Sequence, residues 1–102
     1  MNGKAVVGIL KDFGLSEYEA RIYFVLFTLG EAKVGMLAKK SYVPQSKAYE
    51  VLDRLTEKGF AEQISNEKPK KYRAIALDRV MSRVVSREER FLRRLNNNFE
   101  SL

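Results

Sequence analysis

The stretch Val34-Gly35-Met36-Leu37-Ala38-Lys39-Lys40-Ser41-Tyr42-Val43-Pro44-Gln45-Ser46-Lys47-Ala48-Tyr49-Glu50-Val51-Leu52-Asp53-Arg54-Leu55 decides the fold. Val34, Leu37 and Ala38 fall at steps of three and one, which predicts a short amphipathic helix over Val34–Ser41, with Met36 off its apolar face. Tyr42-Val43-Pro44 breaks that helix. Proline lacks a backbone N–H and has a fixed φ, so it cannot sit inside a helix but suits the first turn of one. Ala48, Val51, Leu52 and Leu55 then recur at steps of three, one and three, which predicts a second helix over about Gln45–Lys58, stopped by Gly59. Two short helices joined by a tight turn make a helix–turn–helix.

Towards the C-terminus, Phe60 to Ile64 alternates, with Phe60, Glu62 and Ile64 on one side and Ala61 and Gln63 on the other. Asn66-Glu67-Lys68-Pro69 reads as a turn and Lys71 to Ile75 as the returning strand of a hairpin. Asp78 then caps a last helix of about 24 residues, which at 1.5 Å per residue reaches on the order of 36 Å. Towards the N-terminus, Val6, Ile9, Leu10 and Phe13 have helical spacing, followed by Gly14. Ser16-Glu17-Tyr18-Glu19 is a capping box. The helix it opens runs from about Glu17 to Leu29, is expected to bury Ala20, Tyr23, Phe24 and Phe27, and ends at Gly30. The expected fold is mainly α with a small β-hairpin. Residues 1–77 form a winged helix–turn–helix and residues 78–102 a long C-terminal dimerisation helix.

Composition narrows the function. The 102 residues carry 19 Lys plus Arg against 13 Asp plus Glu, a formal charge of +6 that points to an anionic partner. There is no Cys and no His. Disulfides, thiolate zinc sites, thiol nucleophiles and the commonest general base are therefore absent, and neither a cofactor nor an enzyme is expected. Glu88-Glu89 and Glu17/Glu19 lie on helix surfaces and caps, with no cleft evident. The longest apolar stretch, Ile22 to Leu29, is too short to span a membrane, and the N-terminus does not read as a signal peptide, so the expected setting is cytoplasmic.

The charge is not evenly spread. Segment 32–43 holds Lys33, Lys39 and Lys40 and no acid, a net +3 on the helix that crosses the DNA backbone in a helix–turn–helix. Segment 66–73 holds Lys68, Lys70, Lys71 and Arg73 against Glu67, again +3, at the tip expected to form the wing. Such a wing can lie along phosphates or enter a minor groove. Alternation sets Tyr72 opposite Lys71 and Arg73, hence in the core. The helix from Gln45 is neutral, since Lys47, Arg54 and Lys58 balance Glu50, Asp53 and Glu57. Its first turns offer Gln45, Ser46, Lys47, Tyr49 and Glu50 for base reading: Gln matches adenine and Lys reaches guanine. Arg54 is a phosphate candidate, although Glu50 and Arg54 at i, i+4 can also pair with each other. For each lysine singly, a solvated surface is the competing reading.

Met81, Val84, Val85, Phe91, Leu92, Leu95, Phe99 and Leu102 lie along one stripe of the last helix. Arginines 79, 83, 87, 90, 93 and 94 flank it. A stripe longer than one small domain can bury predicts pairing with a second copy of the chain, the competing reading being that it folds back on the chain's own first helix; the arginines tune that pairing rather than bind DNA.

With those segments placed, the chain resembles the TrmB-like winged-helix transcriptional regulators, found mostly in archaea. Phe13-Gly14-Leu15-Ser16-Glu17-Tyr18-Glu19-Ala20-Arg21-Ile22-Tyr23 and Val43-Pro44-Gln45-Ser46-Lys47-Ala48-Tyr49-Glu50-Val51-Leu52 carry the resemblance. Leu55-Thr56-Glu57-Lys58-Gly59-Phe60 and Pro69-Lys70-Lys71-Tyr72-Arg73-Ala74 extend it over roughly residues 8–77. It implies sequence-specific binding of double-stranded DNA by a homodimer. In the family pattern Arg often follows the proline; here Gln45 does, which changes the base preference to expect. Many members continue into a sugar-binding effector domain, but residues 78–102 supply one helix, so no sugar site carries over and no small-molecule effector is evident. The reading is a DNA-binding homodimeric regulator. The alternative is a winged-helix protein-interaction module within a larger assembly, its basic wing binding an acidic partner.

Overall fold

The computed structural model describes residues 3–100; of these, the side chains of 77, 80–88, 99 and 100 lie outside the description. The order is α1 (Gly3–Asp12), α2 (Glu17–Leu29), β1 (Glu31–Lys33), α3 (Val34–Ser41), α4 (Gln45–Glu57), β2 (Ala61–Ser65), β3 (Lys71–Ala74) and α5 (Leu77–Glu100). The architecture is a winged helix–turn–helix followed by a 24-residue helix. Asp78 lies inside the first turn of α5 rather than before it, its carboxylate accepting from the Arg79 backbone N–H at 2.8 Å.

The wing is more than a hairpin. The three residues after Gly30 form β1, and the sheet runs β1-β3-β2, all antiparallel. Gly30 makes this possible by taking φ 85°, which an L side chain resists. Its N–H closes α2 on the Leu26 carbonyl at 2.7 Å, and its own carbonyl accepts from Ala74 N–H at 3.0 Å. Ala32 then faces Tyr72 across the sheet. Three residues are too few for an alternation to be read from sequence, which is why a two-stranded hairpin was the expectation. In the other ladder a register shift between Gln63 and Ser65 bulges β2 on its way to the tip.

The core gathers Leu10, Leu15, Ile22, Leu26, Val34, Leu37, Val51, Leu52, Leu55 and Tyr72. Each large aliphatic side chain so buried contributes about 1.5–3 kcal/mol. Helix α2 buries Ala20 and Tyr23 as expected, but with Ile22 and Leu26; Phe24 is half-buried and Phe27 is 51% exposed. The phase of the helix is set by its contacts with α1, α3, α4 and the sheet. They favour the aliphatic face over the aromatic one. The same correction applies to α1, where Leu10 is buried and Val6 and Val7 pack against the core, while Ile9 and Phe13 are exposed. Tyr23 packs edge-to-face on Phe60 at 5.3 Å, and its hydroxyl donates to the Ile75 carbonyl at 3.0 Å. Burial pushes that phenol up to about 12.

The N-terminus of α2 is closed by the capping box. Glu19 N–H donates to Ser16 Oγ at 3.2 Å, and Ser16 N–H donates to Glu19 Oε1 at 2.7 Å. The same Oε1 accepts from Lys58 Nζ at 2.9 Å, although Glu19 is 2% exposed. Burial alone raises this carboxyl. The Ser16 backbone N–H, the Lys58 ammonium and the Ser16 hydroxyl outweigh burial and hold it below the ordinary 4.5. Among the described residues no helix is long and apolar enough to cross a membrane.

A carboxyl depressed in the folded state adds stability above its unfolded value and loses it as pH falls through the folded one. Glu19→Gln should therefore cost roughly 1–3 kcal/mol at pH 7 and flatten the fall in urea midpoint below about pH 4.5. Urea unfolding of both proteins from pH 7 to pH 3 checks this; parallel curves would remove Glu19 from the acid transition.

Candidate nucleic-acid interface

Helix α4 buries Ala48, Val51, Leu52 and Leu55. That face fixes the rotation of the helix and leaves Gln45, Ser46, Lys47, Tyr49, Glu50, Asp53 and Arg54 exposed on the other. Pro44 stands at its N-cap with φ −56°, where no N–H is needed. The base-reading candidates therefore share one exposed surface at the start of α4. Glu50 and Arg54 are paired at 3.3 Å.

In front of that surface lies an open groove of about 650 Å³. Lys33 at the end of β1 and Met36, Lys39 and Lys40 of α3 line one side, Gln45 and Tyr49 of α4 another, and Pro69 the wing side. Gly35 lies at its base, where a methyl group would approach Gln45 Nε2 at 3.9 Å. The wing is tied here by the Val34 N–H, which donates to the Lys70 carbonyl at 3.3 Å. Residues from three separated segments thus line one concavity.

The cations fall into two groups. Among the described residues Lys33, Lys39, Lys40, Lys68 and Lys70 enter no ion pair. Lys71, by contrast, contacts Glu31 Oε1 at 2.8 Å across the β1–β3 ladder, and Arg73 Nε donates to Glu62 at 2.8 Å across the β3–β2 ladder. The Lys71 ammonium beside Glu31 holds that carboxyl below the usual carboxylate range. These two wing cations, with Arg54, are neutralised inside the fold. Neither carboxylate partner was legible: Glu31 belongs to the unforeseen strand, and pairing Glu62 with Arg73 needs the hairpin register.

The structure adds one group that the sequence did not single out. Arg21 of α2 crosses to the turn between α3 and α4. Its Nε donates to the Ser41 carbonyl at 3.0 Å, its Nη2 donates to the Tyr42 carbonyl at 2.8 Å, and its guanidinium lies 5.6 Å from the Tyr18 ring centre. Tyr42 takes the left-handed conformation, φ 57° and ψ 38°, with its ring 84% exposed. A non-glycine residue there costs about 1–2 kcal/mol. Arg21 braces the carbonyl of that strained residue, and so the entry into α4. The buried Tyr72 hydroxyl has no hydrogen-bond partner among the described residues. Its pKa is raised, by burial first and then by Asp53 and Tyr49 of α4.

On α5, Phe91, Leu92 and Leu95 are 55%, 57% and 48% exposed. The side chains of Met81, Val84, Val85 and Phe99, and all of Leu102, lie outside the described residues. No group of three or more acidic residues that could hold a metal ion occurs among the described residues.

A helix–turn–helix with a three-stranded wing and an exposed second helix beside a lysine-lined groove defines a winged-helix protein. Residues 10–78 match the family described as sugar-specific transcriptional regulator TrmB, and the chain belongs to that family. It is 31% identical over 93 residues to the HTH-type sugar sensing transcriptional regulator TrmBL1 of Pyrococcus furiosus, covering 91% of this chain and 27% of that protein. It is 37% identical over 82 residues to the DNA-binding HTH-type transcriptional repressor TrmBL2 of Thermococcus kodakarensis, covering 78% of this chain and 30% of that one. The structure of TrmBL2, described as an archaeal chromatin protein with a novel mode of DNA binding, superposes with a TM-score of 0.86 at 32% identity over 99% of this chain and 39% of that one. A MarR family regulator from Silicibacter pomeroyi, at 21% identity and a TM-score of 0.61, shares the fold. The chain thus spans less than a third of the length of these two relatives.

Arg21→Ala removes two charged hydrogen bonds from the turn and should destabilise by about 1–2 kcal/mol. Arg21→Lys should recover at most part of this, because one ammonium lacks the guanidinium fork. Urea unfolding measures the loss, and amide exchange at Tyr42 and Val43 should quicken in Arg21→Ala; an unchanged turn would refute the brace.

Proposed function

We propose that the chain binds double-stranded DNA sequence-specifically as a homodimer and acts in transcriptional regulation. The supporting observation is the groove that Gln45 and Tyr49 of α4 line together with Pro69 of the wing, bordered by Lys33, Lys39 and Lys40, which enter no ion pair among the described residues. Helix α4 reads base edges with Gln45, Ser46, Lys47, Tyr49 and Glu50. Lys33, Lys39, Lys40, Lys68 and Lys70 hold phosphates. Lys71, Arg73 and Arg54 join them only by exchanging a carboxylate for a phosphate, which lowers what each adds. The DNA binding named for TrmBL2 supports this reading.

The dimer is proposed from α5. Phe91, Leu92 and Leu95 expose apolar surface on a 24-residue helix, in a molecule whose longest dimension is 53 Å. Burying a large apolar side chain is worth about 1.5–3 kcal/mol, from which association entropy and side-chain ordering subtract. A two-fold pair also presents two α4 helices to a pseudo-palindromic site.

Duplex affinity should fall with salt at a log–log slope of about −5 if the dimer neutralises some six phosphates. Lys39→Ala with Lys70→Ala should weaken all sequences alike, whereas Gln45→Ala should relax preference at particular base pairs by about 1–3 kcal/mol. Gel shifts across salt and selection of bound sequences check both; a flat salt response refutes the phosphate role.

Phe91→Glu with Leu95→Glu should yield a folded monomer with most duplex affinity lost. Sedimentation equilibrium decides, since a wild-type monomer at micromolar concentration places no interface on α5.

A further inference from the structure

A second groove, of about 690 Å³, lies between α1, α2 and the end of α3, with no α4 residue in its lining. Its lining is mostly apolar, with Val7, Phe24 and Val25 contributing. Gly8 of α1 also lines it, and a methyl group built there meets nothing within 4 Å. A glycine inside a helix costs roughly 0.5–1 kcal/mol relative to alanine. No close packing at Gly8 accounts for that cost, and the absent side chain leaves the groove open.

The rim is cationic. Lys4, Lys11, Arg21 and Lys40 line it against one carboxylate, Glu17, which already contacts Lys11 at 3.7 Å. The volume lies in the range of small-molecule sites, which pair an apolar lining with a few polar groups. The charge also selects among occupants. Helix α5 of a second copy would bring six arginines against four acids, a net +2, onto a rim that is itself cationic.

We propose that this groove binds a small amphipathic anion, an apolar aryl or alkyl body carrying one carboxylate. The body lies over Val7, Gly8 and Phe24, and the carboxylate meets Lys40 and Arg21. Lys40 lines this groove and the α4 groove alike, and Tyr42 of the strained turn lines this one. A carboxylate on Lys40 competes with a phosphate there, so occupancy weakens duplex binding; this coupling, unlike the site, rests on the DNA-binding reading.

The full chain without DNA is titrated with 4-phenylbutyrate and, separately, with its neutral amide, followed by ¹H–¹⁵N NMR. Saturable shifts should cluster at Val7, Gly8, Phe24, Val25 and Tyr42, with the anion about tenfold tighter than the amide. Gly8→Leu fills the groove and improves helix propensity, so it should abolish binding while the melting temperature holds or rises. Lys40→Gln should weaken the anion and leave the amide unchanged. Four results overturn the site: no saturable shifts up to 10 mM, equal affinity for acid and amide, binding that survives Gly8→Leu, or groove resonances that move on dilution because a second copy fills it. A gel shift with 4-phenylbutyrate then tests the coupling. Weaker duplex binding by wild type but not by Gly8→Leu supports it, and ligand binding without that change overturns the coupling alone.

Discussion

Three side chains of one helix hold the parts of this protein in register. From α2, Glu19 reaches Lys58 at the end of α4, Arg21 reaches the turn that starts α4, and Tyr23 reaches Ile75 at the exit of the sheet. Both ends of α4 are thus anchored to the same scaffold helix by hydrogen bonds, while its middle is held by Ala48, Val51, Leu52 and Leu55 in the core. Hydrophobic burial is non-directional and roughly proportional to area. Directed hydrogen bonds from a single rigid element set the angle at which the exposed face of α4 meets the outside. Glu19 is the most constrained of the three, because a carboxylate this deeply buried depends on its partners for solvation.

The wing shows how a basic segment divides its charge. Two of its four cations are neutralised by acids on neighbouring strands, one on each side of β3. Those pairs are partly exposed and individually weak. Glu62 stands directly opposite Arg73, so that pair favours the observed β2–β3 register, whereas Lys71 reaches Glu31 diagonally, past the Lys33 that stands directly opposite it. Lys68 and Lys70, nearer the tip, face no acid among the described residues and leave the field outside the fold positive.

Most of the architecture was legible because it rests on local chemistry. The capping box, Pro44 at the start of α4, the three-one-three spacing of Ala48 to Leu55 and the exposed polar face opposite them were read without coordinates. What was not legible depends on distant partners. Phe24 and Phe27 looked like core because aromatic residues are hydrophobic, yet the packing of α2 against four neighbours turned Ile22 and Leu26 inward. Strand β1 is three residues long and exists only because β3 is beside it. Arg21 read as one more helix cation, since nothing local announces that the carbonyls of Ser41 and Tyr42 lie within its reach.

That short first strand bears on what the sheet offers to other molecules. The sheet has two outer edges, β1 and β2. An unpaired edge is a template for strands of other molecules, and natural sheets blunt it with brevity, charge and bulges. Here β1 offers three residues, two of them Glu31 and Lys33, and β2 carries a bulge before Ser65. Neither edge presents a long, flat, apolar row of backbone donors and acceptors. Growth of the sheet from one molecule into the next is disfavoured at both ends, which leaves helical surfaces as the open ground for any contact between copies.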